Sequence, residues 1–289
     1  MDPAIDAQHL NPPPAKLISG NFAKAFAFIA KDMRISVSYK LQFVFQFAQI
    51  FFSVALIYFV GKMLSKEGQA LVLRDYGGDY FSFALVGLSI SSYLRAGLVT
   101  LTNDIRQTMN QGTLEAMCAA PINYTWLLFC SSLWHFIFET IRVLFYFLLA
   151  ILLFGMRLSN VNWPGVVVTL GLTAPIFLML GVISCSILIL VKRGDPINWI
   201  FSGLSGLLAG TIFHISVLPG WLQKVAWCLP LTHSLEAMRR CLLGGEGISQ
   251  ISTHIWALLA FIVALVPLTI LSNNLCMKRA KSQGAFSTH

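Results

Sequence analysis

No charged residue occurs between Leu41 and Gly61, a run of 21 positions. At about 1.5 Å per residue that run makes roughly 32 Å of helix, enough to cross the hydrocarbon core of a bilayer. Further apolar blocks cover about 80–102, 126–154, 164–191, 199–218 and 255–271. None alternates with a period of two. In lipid only helices and closed barrels satisfy the backbone, so the pattern predicts an all-α integral membrane protein with six transmembrane helices rather than barrel strands.

The polar stretches between these blocks predict smaller elements. Residues 1–20 read as a disordered tail, because Pro12, Pro13 and Pro14 bar a helix. From Asn21 to Ser36, Phe22, Phe26, Ile29 and Met33 recur at helical spacing among Lys24, Lys31, Asp32 and Arg34. This predicts an amphipathic helix over about 21–38 lying in the membrane interface, with an extension of the first span as the plainer alternative. After the second span comes a polar helix, then a glycine break at Gly112, then Thr113, Leu114 and Glu115. Glu115 near a helix start there favours the positive end of the dipole, and an ordinary loop cap explains it equally well. The stretch 219–247 is apolar in patches but broken by Pro219, Gly220 and Pro230. It predicts one or two short helices dipping into the outer leaflet with protein support. Together these readings describe one transmembrane domain over 21–273 between two cytoplasmic tails, 1–20 and 274–289.

Composition agrees. Hydrophobic residues make up 56% of the 289-residue chain and charged residues 11%, against roughly 25% charged in a soluble domain. Too few charges are present to coat a soluble surface, so lipid is the expected solvent. The net charge of +8 comes from residues flanking spans, which suits membrane orientation better than nucleic-acid binding, and no nucleic-acid partner is expected. With six spans both termini share one side. That side holds eleven Lys and Arg outside the spans against seven opposite, which favours cytoplasmic termini in a plasma membrane, the bacterial inner membrane in particular. The N-terminal stretch has no apolar core, so insertion is expected to rely on the first span. The six cysteines show no CxxC spacing; a Cys228–Cys241 disulfide stays open but no disulfide framework is indicated.

Candidate chemistry is sparse. Gly61-Lys62 is followed by Met63, so no phosphate-binding loop is present. His9, His135, His214, His233, His254 and His289 show neither HExxH nor clustered spacing, and each reads as a local hydrogen-bonding residue. Neither a catalytic residue nor a metal ligand is assigned. Charges inside spans are costly and default to functional candidates. Glu139 and Arg142, three apart on one helix, can pair, which favours a structural role. Arg95 either snorkels toward the cytoplasmic side or meets Glu139. The fifth span is rich in small residues, with Gly203, Gly206 and Gly210 near one face; that face suits either a dimer contact or packing within the chain. Pro175 and Pro267 lie inside spans and are expected to kink them.

Several motifs carry a resemblance. GTLEAMCAAP, from Gly112 to Pro121, resembles a GTLE-x-hydrophobic-x-x-x-P segment of type-2 ABC-transporter permeases. CLPLTHSLEAMRRCLLGG, from Cys228 to Gly245, resembles that family's Leu-Pro-Leu-Thr-aromatic-x-Leu-Glu-x-x-Arg segment, with His233 at the usual aromatic position. VKRGDPINW before the fifth span and VLPGWLQ after it also fit. Their order and spacing extend the resemblance over nearly the whole chain. It implies a cytoplasmic coupling helix within Asn103–Pro121 that docks a separate ABC ATPase subunit, with Arg106, Gly112, Thr113, Leu114, Glu115 and Pro121 as contacts. It implies a second permease chain, identical or a close paralogue, and a path lined by the second and fifth spans. It implies an outer gate within Trp221–Leu243, including Pro230, Leu231, Thr232, Glu236 and Arg239. ATP and Mg would be bound by the partner ATPase, and this chain would bind no cofactor of its own.

The leading expectation is therefore the permease of an ATP-driven exporter for a hydrophobic or amphipathic substrate, such as a drug, a lipid or a lipid-linked product, surrounded by membrane lipids. The alternatives are a polysaccharide or lipid-linked glycan exporter permease and a non-transport assembly or signalling subunit. A membrane-embedded enzyme needs convergent acid, base or metal groups, and only Glu139 and Arg142 stand at depth.

Overall fold

A computed structural model describes residues 33, 40–64, 79–112, 124–156, 158, 160–191 and 196–282. Among these every regular element is helical. We label them α1 (Lys40–Leu64), α2 (Tyr80–Asn110), α3 (Tyr124–Phe154), α4 (Trp163–Val191), α5 (196–208), α6 (Gly220–Trp227), α7 (Pro230–Arg239) and α8 (Ser252–Ser282). The predicted interfacial helix, Met33 apart, and the segment from Thr113 to Pro121 lie outside the described residues.

Five of the helices are long and apolar enough to cross a membrane: Val44–Met63, Tyr80–Asn110, Ser132–Phe154, Trp163–Val191 and Ser252–Cys276. They coincide with five predicted spans. Large apolar side chains on α1, α3 and α8, among them Phe52, Leu144 and Val263, are exposed, as expected where lipid replaces water.

The fifth predicted span, 199–218, is not one continuous helix. Its helix ends at Leu208 and Gly210 follows with φ +78°. From 196 to 208 the helix measures only about 20 Å. A left-handed residue ends a right-handed helix, and glycine takes that conformation without steric cost. The face predicted from Gly203, Gly206 and Gly210 loses its third member for the same reason. The sixth span is longer than predicted. The apolar pattern stops at Leu271, yet α8 continues to Ser282, into the stretch assigned to the C-terminal tail. Leu275, Met277, Lys278, Arg279 and Ala280 are good helix formers, and buried Cys276 joins Val182, Cys185 and Leu188 of α4 in one apolar cluster.

Helices α2, α4 and α7 form the centre. Val86, Ile90 and Leu94 of α2 meet Ile176 and Leu180 of α4 and Leu231, Leu235 and Met238 of α7 in one core. The α2–α4 crossing is unusually close: a Cβ on Gly181 would sit 2.0 Å from the Gly97 carbonyl oxygen, and one on Gly97 would sit 2.6 Å from that of Phe177. Small residues let helix backbones approach in this way. At the crossing α2 widens into a π-helical turn, Ala96–Thr100.

Candidate functional site

A cavity of about 520 Å³ opens between α1, α2, α5 and α7. Asp79 sets the phase of its main wall: the carboxylate caps α2 by accepting from the backbone N–H groups of Phe81, at 3.3 Å, and Ser82, at 3.2 Å. From that start Tyr80, Ala84, Leu88, Ser91 and Arg95 fall on one stripe facing the cavity, as three- and four-residue spacing on a helix requires. Leu56 and Val60 of α1, Ser202 and Gly206 of α5, and Leu231 of α7 line other parts of it. The wall is mostly apolar, with hydroxyl groups and one guanidinium. Ser91 Oγ and Thr211 Oγ1 lie 3.1 Å apart in a hydrogen bond across the opening beside the α5 break.

The intramembrane charges separate into a pair and a singleton. Arg142 Nη1 donates to Glu139 Oε2 at 3.2 Å, and the Arg142 guanidinium lies 5.6 Å from the Phe138 ring centroid. The pairing expected from their spacing is present. Arg95 does not meet Glu139: it is exposed on the cavity wall and forms neither a hydrogen bond nor an ion pair among the described residues.

The residues assigned to an outer gate make three different kinds of contact. Arg239, 2% exposed, lays its guanidinium 3.5 Å from the Phe83 ring centroid and donates from Nε to the Phe83 carbonyl and from Nη2 to the Thr211 carbonyl, at 3.3 and 2.9 Å. It thereby ties α7 to α2 and to the chain just past the α5 break. Gly87 makes room, since a Cβ there would lie 2.0 Å from the Thr211 oxygen. Glu236 accepts from Arg240 Nε at 3.0 Å, and Arg240 also reaches Glu246 at 3.5 Å. Pro230 opens α7 at its first turn, where a missing N–H costs nothing, and Thr232 Oγ1 donates to the Ala226 carbonyl at 2.7 Å, joining α7 to α6. Leu231 alone of the five lines the cavity.

His233 Nε2 donates to the Trp227 carbonyl at 2.9 Å, and its Nδ1 lies 3.3 Å from His254 Nδ1. Burial lowers the affinity of the His233 imidazole for a proton, against the opposing effects of its bond to Trp227 and the charge of Glu236. Cys228 and Cys241 are both free. Burial, aided by the Glu246 charge, pushes the Cys241 thiol up to about 11, so it stays protonated and acts as a packing residue.

Toward the other end of α2, the final helical turns carry Leu101 and Ile105 inward while Asn103, Arg106, Gln107 and Asn110 are exposed. Asp104 receives His135 Nε2 of α3 at 2.6 Å, a contact between residues 31 positions apart that spacing rules do not anticipate. The helix ends at Asn110 with Gln111 as its cap, and Gly112 turns the chain with φ +66°. Thr113, Leu114, Glu115 and Pro121 lie outside the described residues. Among the described residues no three His, Cys, Asp or Glu side chains converge to hold a metal.

Residues 26–243 match the family model of the ABC-2 type transporter. A stretch of 121 residues, 39% of this chain, is 29% identical to Nodulation protein J of Sinorhizobium fredii (strain NBRC 101917 / NGR234). It covers 44% of that protein, less than half of its length. The family match extends over most of the chain and takes in the cavity wall, the Glu139–Arg142 pair and the Arg239 contacts alike. The chain belongs to the ABC-2 type transporter family, as a multi-pass membrane permease.

Proposed function

We propose that this permease is the transmembrane subunit of an ATP-driven exporter that moves a hydrophobic or amphipathic molecule, such as a drug, a lipid or a lipid-linked product, out of the cytoplasm or inner leaflet. The observation that carries this reading is the largely apolar cavity of about 520 Å³ along α2, within the range of small-molecule sites. A glycan path calls for aromatic rings to stack on sugars. Among the described residues Tyr80 is the single aromatic one lining this cavity, which favours an amphiphile over a bare polysaccharide.

In this reading a separate ABC ATPase subunit binds ATP and Mg. It docks on the polar end of α2 at Arg106 and Gly112 and on the segment that follows, through Thr113, Leu114, Glu115 and Pro121. A second permease chain, identical or closely paralogous, covers the α5 face; no described atom lies within 4 Å of where a Cβ on Gly203 or Gly206 would stand. The short α5 together with 209–218 makes the sixth crossing, its exposed backbone shielded by protein. Both termini then face the cytoplasm, and α6 and α7 close the path from outside.

The test is co-purification in mild detergent, followed by ATP-driven transport in proteoliposomes. A stoichiometric ATPase subunit is expected, with hydrolysis uncoupled from transport by Glu115→Ala and transport reduced at least several-fold by Leu88→Trp. Recovery of the chain without an ATPase, or full transport by Leu88→Trp, would overturn the reading.

A further inference from the structure

Arg95 stands out once the neighbouring charges are accounted for. Tyr146 lies within electrostatic reach of Arg95, Arg142 and Glu139. The one carboxylate of that group is hydrogen-bonded to Arg142, which leaves the Arg95 charge unbalanced by any described ion pair. A guanidinium at membrane depth is costly, and such residues ordinarily pair or face a functional path. Arg95 instead faces the cavity, where its five N–H donors meet no hydrogen-bond partner among the described residues. One helical turn away on the same stripe is Ser91. The Ser91–Thr211 bond uses one of the two hydroxyl hydrogens; with Thr211 as its donor, the Ser91 hydrogen remains for a ligand beside the guanidinium. Along the rest of the stripe, Leu88 and Ala84 face Leu56 and Val60 across an apolar gap. From Tyr80 to Arg95 the wall runs about 22 Å, with Ser91 and Arg95 at one end, the apolar side chains of Leu88 and Ala84 in the middle and the Tyr80 ring at the other end.

We infer that this groove selects an amphiphile with an anionic headgroup, a phosphate or a carboxylate, held by Arg95 and Ser91 while its chain lies along Leu88 and Ala84. The inference rests on the exporter reading above. With cytoplasmic termini α2 runs inward, so Arg95 sits toward the cytoplasmic side and the apolar wall toward the midplane and beyond. That is the order of headgroup and chain for a molecule in the inner leaflet.

Binding of three fluorescent single-chain probes of equal chain length, a phosphate, a carboxylate and an alcohol, to the purified transporter in neutral detergent tests this by anisotropy. A charge-assisted contact predicts that wild type binds one or both acids about tenfold more tightly than the alcohol. Comparing phosphate with carboxylate tells which acid is preferred. Arg95→Gln should abolish the difference between acids and alcohol, and Arg95→Lys should keep most of it. Equal affinities in wild type, or a preference that survives Arg95→Gln, would overturn the inference. So would separation of the permease pair by Arg95→Gln, in size-exclusion with light scattering, with the preference intact; an acid of the second chain would then be the partner. If Arg95→Gln does not fold, the wild-type comparison and Arg95→Lys decide. Failure of all three probes to bind, with full transport by Leu88→Trp, would remove the exporter cavity itself; alcohol binding without acid preference would remove only the anionic headgroup.

Discussion

Arg239 shows how one side chain can hold the centre of this permease. Its charge is buried, and burial of a cation is tolerated only when its donors are met. Here two backbone carbonyls and an aromatic face meet them, on two different parts of the chain. Arg239→Ala leaves a void and frees α7 from Thr211, so a loss of about 2–4 kcal/mol is expected. Thermal unfolding in detergent should show a drop of several degrees, with Arg239→Lys recovering only part because an ammonium cannot reproduce the planar fork. His233 makes a pH-dependent contribution. Its proton affinity is lowered in the folded state by burial, so the native state prefers neutral imidazole. The stability this provides is present above the ordinary histidine value near 6.5 and is lost as pH falls below it. The melting temperature should therefore decline on acidification from pH 7 to 5, and His233→Phe should flatten that decline. An equal decline in the variant would assign it to other groups.

Among the helices, α2 carries most of the design. A carboxylate cap starts it, a stripe of cavity residues runs along it, a π-turn widens it at the α4 crossing, and a polar end carries it beyond the apolar core. The crossing depends on Gly97 and Gly181, where any side chain meets a backbone carbonyl rather than a movable group. Gly97→Leu should push α2 and α4 apart at a cost of about 1–3 kcal/mol or more, read as early loss of the monodisperse peak in fluorescence size-exclusion after heating. Gly171, with nothing within 4 Å of an added Cβ, is the control that should tolerate alanine. Helix α5 is the opposite case. It is short, ends at Leu208 just before Gly210, and the chain past its end is tied to α2 and α7 by the Ser91–Thr211 and Arg239–Thr211 contacts.

For the molecule as a whole, orientation is the property that gives every site its side. Alkaline phosphatase fused after Gly247 should be active outside the cell. A fusion at His289 should be inactive, while a fluorescent protein at the same point should fold in the cytoplasm. Active phosphatase at His289 together with inactive phosphatase after Gly247 would mean that the α5 region does not cross.

Five helices long and apolar enough to cross a membrane, and the short helices around Pro230, were legible from residue order, because a span needs only uninterrupted apolar length and a turn only local chemistry. The Glu139–Arg142 pair was legible for the same reason: its partners lie one helical turn apart. The early end of α5 was not, because hydropathy continues unbroken past Gly210 and registers no backbone reversal. Nor were the Gly97–Gly181 crossing, the Asp104–His135 bond or the grip of Arg239 on Phe83 and Thr211. Each joins positions far apart in the chain, and contact between such positions follows from how the helices cross. The same holds for Arg95. Its place in a span is a matter of sequence, but that it faces a cavity, and that Glu139 is already engaged, follows from the packing of α1, α2, α3 and α5 around it.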